Sequence, residues 1–163
     1  MAKIITICGK ICAGKSYYSK QLKEKENAVI LSCDEIINAL FDKELGEKHD
    51  EMTIRICDYF KRKSVELYNI GCNVILDWGF WSREGRRKLT DYYDSLNIPC
   101  EWHYIDVDDR TWYKNILERN SRVLNDNSGS DYYLDEGLLS KCLSLWEAPL
   151  EDEIDVRHRN VRK

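Results

Sequence analysis

Residues 3–16 read Lys-Ile-Ile-Thr-Ile-Cys-Gly-Lys-Ile-Cys-Ala-Gly-Lys-Ser. The first six are rich in β-branched and apolar side chains without alternation, the pattern of a strand buried on both faces of a parallel sheet. They run directly into Gly9-Lys10-Ile11-Cys12-Ala13-Gly14-Lys15-Ser16, which satisfies the spacing GxxxxGK[ST]. The two glycines let the backbone aim N–H groups inward at a phosphate, and the helix that follows adds its positive end. Lys15 carries a mobile cation to the β- and γ-phosphates of a nucleotide, and Ser16 offers a hydroxyl to Mg²⁺. At average residue frequencies the pattern arises by chance in about one chain of this length in several hundred. Its place between a strand and a helix argues further against a mere glycine turn with a solvated lysine. Cys12 reads as a spacer turned away from phosphate or as a reactive thiol near a helix start. Tyr17 is counted with the loop as a nucleotide contact.

Outward from the loop, helical and strand signals alternate. A helix is expected over about 15–25, a short buried strand over 28–32 and a helix over 34–40. A polar loop follows at 43–50. Met52, Ile56, Phe60 and Leu67 mark a long amphipathic helix over about 51–70, stopped by Gly71. Residues 72–77 form a third strand, Ser82 caps a helix through Leu96, and residues 101–107 form a fourth strand. Asp108 caps the next helix, where Trp112 pairs with Ile116 and Tyr113 with Leu117. Residues 120–131 are polar and are expected not to pack. Asp135 opens a last helix ending near Pro149, and only residues 154–156 offer a short fifth strand. Such alternation predicts a three-layer α/β/α P-loop NTPase fold, with a parallel sheet of four to five strands and a small mobile lid. We expect a single domain over 1–163 with the lid at about 120–132. Ligands on such sheets bind at the carboxyl ends of the strands, which places the glycine loop, Asp34 and Asp77 on one rim.

The chain has 163 residues, 43% of them hydrophobic and 33% charged, with a net charge of -4. A cationic footprint for coating nucleic acid is missing from this balance. The seven cysteines are odd in number and scattered, without a CxxC pair, and the three histidines are isolated. Zinc has no support in that spacing, and the cysteines read as small hydrophobes in a reducing cytoplasm. No signal-peptide core and no membrane-length apolar run is present, so a cytoplasmic location and no membrane partner are expected. The guanine-reading [NT]-K-x-D of GTPases is absent, and a large ring ATPase needs more chain than this.

The loop, Ser32-Cys33-Asp34-Glu35, residues 74–87 (VILDWGFWSREGRR), 103–106 (HYID), Glu118-Arg119-Asn120 and 132–136 (YYLDE) together resemble the adenylate-kinase-like group of small P-loop kinases. Within it the likeness is to predicted ATP-dependent kinases that also resemble polynucleotide 5′-kinase domains, chloramphenicol phosphotransferase and zeta toxins. It covers residues 1 to about 155. The resemblance implies ATP and Mg²⁺ as cofactors and a hydroxyl-bearing acceptor, with the protein a monomer or dimer. It implies that Asp34 accepts the acceptor's hydroxyl proton and reaches the metal with Ser16, where a simple helix N-cap is the competing role. Arg119, and Arg122 as the lid closes, are implied to touch the ATP phosphates; the competing role is a cation at a helix end. Asp77 is implied to lie near metal and acceptor. Arg83 is a candidate grip for an acidic acceptor, whereas Arg86 and Arg87 read as a solvated face. Trp78, with Phe80 and Trp81, either stacks on a flat acceptor or packs beneath the lid.

One position departs from the pattern. Polynucleotide kinases and many relatives place an arginine three residues after the strand-two aspartate, against the acceptor phosphate, and here Ile37 stands there. A small molecule, nucleoside or nucleotide is therefore the expected acceptor. A polynucleotide 5′-hydroxyl kinase and a non-catalytic ATP-binding regulator are the alternatives.

Overall fold

In the computed structural model, which describes residues 1–41, 45–125 and 132–160, the elements follow in this order: β1 (Ile4–Cys8), α1 (Lys15–Glu26), β2 (Ala28–Ser32), α2 (Cys33–Phe41), α3 (His49–Asn69), β3 (Asn73–Asp77), α4 (Arg83–Ser95), β4 (Cys100–Val107), α5 (Asp109–Asn125), α6 (Glu136–Leu145) and β5 (Val156–Asn160). Short 3₁₀ turns occupy Gly46–Lys48 and Glu151–Glu153. β1 is buried along its whole length. Successive side chains of a strand point to opposite faces. Ile4 and Cys8 accordingly enter a core with Phe60 of α3 and Leu89 and Tyr93 of α4, while Ile5 and Ile7 enter a second core with Leu22 of α1 and Ile105 of β4. Both faces of the sheet are covered, which explains the unbroken apolar run.

The five strands are all parallel in the order β2-β3-β1-β4-β5. The fold is the three-layer α/β/α arrangement expected from the sequence. Register brings Ser32 opposite Asp77 at the ends of β2 and β3. The carboxyl ends of β1, β2 and β3 thus form one rim, with the glycine loop at its centre. Ser82, Asp108 and Asp135 cap their helices as read from the sequence, accepting hydrogen bonds from the N–H groups of Gly85, Thr111 and Leu138.

Three expectations are corrected. The fifth strand lies at Val156–Asn160, beyond the apolar residues that suggested 154–156. It pairs with β4 through the backbone ladder and through Arg157, which reaches Asp106 (3.4 Å) and the Tyr104 ring, and its side chains are mostly exposed, so hydrophobicity did not mark it. The helix α5 runs on to Asn125, and Asn120, expected not to pack, is bonded twice to Leu134: its Nδ2 donates to the Leu134 carbonyl (2.9 Å) and its Oδ1 accepts from the Leu134 N–H (2.8 Å). The remainder of the expected lid, residues 126–131, lies outside the described residues. Arg86, expected on a solvated face, is 2% exposed. Its Nε donates to Glu153 Oε2 at 2.8 Å and its Nη1 to the Phe80 carbonyl at 3.1 Å. The other carboxylate oxygen of Glu153 accepts from the Leu150 N–H at 2.8 Å. An ion pair between buried Arg86 and half-buried Glu153 thereby ties the segment ahead of β5 to the β3–α4 turn.

β5 also reaches the glycine loop. Asn160 Nδ2 donates to the Ala13 carbonyl at 2.7 Å, and a Cβ on Gly14 (φ 101°) would stand 2.6 Å from that nitrogen. Gly14→Ala is expected to destabilise the fold by about 2 kcal/mol or more, combining a left-handed backbone with a clash. Adding Asn160→Ala should relieve the clash and leave the backbone cost of about 1–2 kcal/mol, as measured by urea unfolding. Glu153→Ala strands the Arg86 charge in the core and is expected to cost about 3 kcal/mol in the same assay. Glu151→Ala, which removes an exposed partner of Arg157, should cost less than about 1 kcal/mol.

Candidate active site

The glycine loop is held from behind. Each carbonyl from Gly9 to Ala13 accepts a hydrogen bond: Gly9 and Lys10 from Lys15 Nζ (2.9 and 3.1 Å), Ile11 from Trp112 Nε1 (2.7 Å), Cys12 from Asn115 Nδ2 (2.9 Å) and Ala13 from Asn160 (2.7 Å). With its carbonyls engaged, the loop offers N–H groups to an incoming anion. Two residues take left-handed backbone, Cys12 (φ 58°) and Gly14 (φ 101°), and such alternation bends successive N–H groups toward one concavity. At Gly9 a Cβ would lie 3.0 Å from the Ile105 carbonyl, so β4 leaves room there for hydrogen alone. Lys10 turns away from the loop, its ammonium 4.1 Å from the Trp112 ring centroid and 3.4 Å from Asp109.

Lys15 sits at the centre of the charges. Burial pulls its pKa below the usual lysine value, opposed by the nearby carboxylates of Asp77 and Asp34. Asp77 ends β3 and is half-buried; Ser19 Oγ donates to its Oδ2 at 3.2 Å. Burial raises the Asp77 carboxyl above its usual range, with Lys15 and Ser19 pulling it down and the charge of Asp34 pushing it up. Asp34 is exposed in the first turn of α2, and the turn starts one residue earlier, with Ser32 Oγ accepting from the Glu35 N–H at 3.4 Å. Ser32 rather than Asp34 therefore occupies the capping position, and the Asp34 carboxylate is left facing the rim. Ser16 and Tyr17 are exposed on the first turn of α1.

Arg119 projects from α5 toward the loop. Its Nη1 lies 4.0 Å from Cys12 Sγ and its Nε donates to the Tyr132 carbonyl at 3.1 Å. Tyr132 closes the far side: its phenol is raised by burial and by the charge of Asp34. Arg122 is exposed one turn further along α5. α6 stands over the same rim, where Cys142 feels the charges of Arg119 and Lys15.

The β3–α4 turn divides its aromatics. Trp78 is half-buried against Phe60 (6.2 Å between centroids) and Phe80 (5.0 Å), as part of the core. Trp81 instead faces the loop, with Lys15 Nζ 5.6 Å from its ring centroid. Arg83 is turned to the segment after α6, donating from Nε to the Ala148 carbonyl at 3.0 Å. Of the sequence-derived candidates, the structure brings Asp34, Asp77 and Arg119 around the loop and Lys15. It places Trp78 and Arg83 behind the rim. Trp112, Asn115, Asn160 and Tyr132 were not singled out. Trp112 was read as half of an apolar pair, and the polar signal beside it, an asparagine three residues on along the helix after β4, depends on knowing that β4 adjoins β1.

Among the described residues no group of three or more His, Cys, Asp or Glu stands together. Mg²⁺ takes one or two carboxylates and fills its remaining positions with water and phosphate oxygen. Ser16 and Asp34 would be the donors that this chain offers to such an ion. No helix among the described residues is long and apolar enough to cross a membrane.

Comparison with known proteins follows the same lines. No curated protein matches the sequence. Among solved structures, the chain is similar to a sugar kinase from Janibacter sp. (13% identity, TM-score 0.67, covering 98% of this chain and 86% of that one). It is similar to the APS kinase of Mycobacterium tuberculosis, solved with AMPPNP and APS (15% identity, TM-score 0.67, 99% and 90% covered). A component of the Pnkp1/Rnl/Hen1 RNA repair complex is also similar (18% identity, TM-score 0.63, 88% and 43% covered). These likenesses concern the fold, which is that of the small P-loop kinases. In sequence, residues 4–133 match the AAA domain family. Spanning well over half of the chain and including the whole glycine loop, that match means that the protein belongs to the AAA domain family.

Proposed function

We propose that this protein is a kinase that transfers the γ-phosphoryl group of ATP to a hydroxyl of a small molecule, nucleoside or nucleotide. The observation that carries the reading is a pair of carboxylates at neighbouring strand ends: Asp77 closes β3 opposite Ser32 of β2, and Asp34 follows two residues after Ser32, both on the rim that holds Lys15.

In this reading the N–H groups of the loop and Lys15 hold the β- and γ-phosphates. Lys15 reaches them by exchanging its bonds to the Gly9 and Lys10 carbonyls for phosphate oxygens. Ser16 and Asp34 would hold Mg²⁺, which supplies neutralising charge to the phosphates when bound. Asp34, exposed and facing the rim, takes the acceptor hydroxyl's proton as the oxygen attacks. Asp77 lines the acceptor side, fixed by Ser19. Arg119, already directed at Cys12 of the loop, meets the charge on the transferring group.

Ile37 supports a small acceptor over a nucleic-acid end. It is 2% exposed and belongs to the apolar side of α2, at the position where the resembling polynucleotide kinases carry their phosphate-gripping arginine.

Asp34→Asn is expected to leave affinity for a non-hydrolysable ATP analogue within about threefold, while phosphoryl transfer falls about 10²–10⁴-fold. Titration calorimetry and labelled-product formation separate the two effects. Full transfer by Asp34→Asn would remove the base assignment.

A further inference from the structure

Cys33 and Cys57 take no part in the chemistry above, yet they touch. Cys33 opens α2 immediately before Asp34 and is 2% exposed, and Cys57 faces it from α3 with the two Sγ atoms 3.3 Å apart. Closure to a disulfide bond of about 2.05 Å asks for little more than an ångström of movement. Cys57 also lines a cavity of about 310 Å³ walled by Lys61, Trp78, Phe80, Trp81 and Leu89. A small molecule in that cavity therefore meets Cys57 first, with Cys33 behind it.

The two thiols are unequal in access. Cys57 is half-buried and open to the cavity, whereas Cys33 is buried and does not line it. Access thus makes Cys57 the attacking cysteine and Cys33 its resolving partner.

We propose that Cys33 and Cys57 form a thiol–disulfide exchange site, which takes small organic disulfides from the aromatic cavity and closes to an intramolecular disulfide tying the first turn of α2 to α3. The Cys57 thiolate attacks one sulfur of the disulfide RSSR. A mixed disulfide forms on Cys57, and the departing RS⁻ takes up the proton that Cys57 gave up. Cys33 then loses its proton and attacks Cys57 Sγ; the Cys33–Cys57 bond forms and the second RS⁻ leaves with that proton. Two protein thiols are oxidised and one RSSR is reduced to two RSH, and excess thiol reverses both steps. Because Asp34 is the next residue after Cys33, the bond fixes the helix start that carries it.

Glutathione disulfide is the probe. The full chain is incubated with an excess of it, quenched by alkylation and mapped as peptides without reduction. The expected result is loss of two of the seven alkylatable thiols and a peptide joining Cys33 to Cys57, with no retained glutathione, all reversed by dithiothreitol. The melting temperature should rise by several degrees, since the bond closes a loop between cysteines 24 residues apart. Cys33→Ser should stop at a glutathione adduct on Cys57, and Cys57→Ser should abolish the cross-link. Retention of all seven thiols, a persistent Cys57 adduct in the unaltered protein, or a cross-link between other cysteines would overturn the proposal.

Discussion

Five consecutive carbonyls, from Gly9 to Ala13, are bonded by donors that come from three places: Lys15 of the loop's own helix, Trp112 and Asn115 of α5, and Asn160 at the end of β5. Backbone groups in a turn of this tightness have no regular partners, and leaving them unbonded costs about 1–3 kcal/mol each when buried. Their satisfaction from outside fixes the loop in a form whose N–H groups face the ligand. The loop's shape therefore depends on distant parts of the chain: on α5, whose Trp112 packs against the core of Ile5, Ile7 and Ile105, and on β5, which pairs with β4.

The same dependence extends through the tail. Glu153 holds Arg86, and Arg86 holds the carbonyl of Phe80 beside the rim. Glu147 donates its N–H to the Trp81 carbonyl at 2.8 Å. Residues 147–160 therefore brace both the turn after β3, which follows Asp77, and the loop itself. The glycine loop is thus backed by α5 and β5, while α2, the β3–α4 turn and Tyr132 line the rest of the rim.

Sequence order made much of this legible. The apolar run into Gly9–Ser16 located β1, the loop and α1 together, and turn residues at Ser82, Asp108 and Asp135 marked three helix starts through local hydrogen bonding. Local signals of this kind act within a few residues and so survive in a one-dimensional reading. β5 escaped because Val156–Asn160 is nearly all exposed and is held by ladder bonds to β4. Arg86 escaped because its burial depends on Glu153, 67 residues away. The backing of the loop by Trp112, Asn115 and Asn160 escaped for the same reason: a carbonyl's donor is set by strand order, which no local pattern contains. The shared rim of Asp34 and Asp77 was legible because strand ends on a parallel sheet meet there by topology alone.

The central claim is that this loop serves transfer rather than binding alone, and incubation with γ-labelled ATP, Mg²⁺ and a fractionated metabolite pool tests it most directly. The account requires label to appear on an organic acceptor with the unaltered protein and to vanish with Lys15→Ala, which removes the cation from the γ-phosphate. Firm ATP binding with label on no acceptor in any fraction, or transfer undiminished by Lys15→Ala, would contradict it.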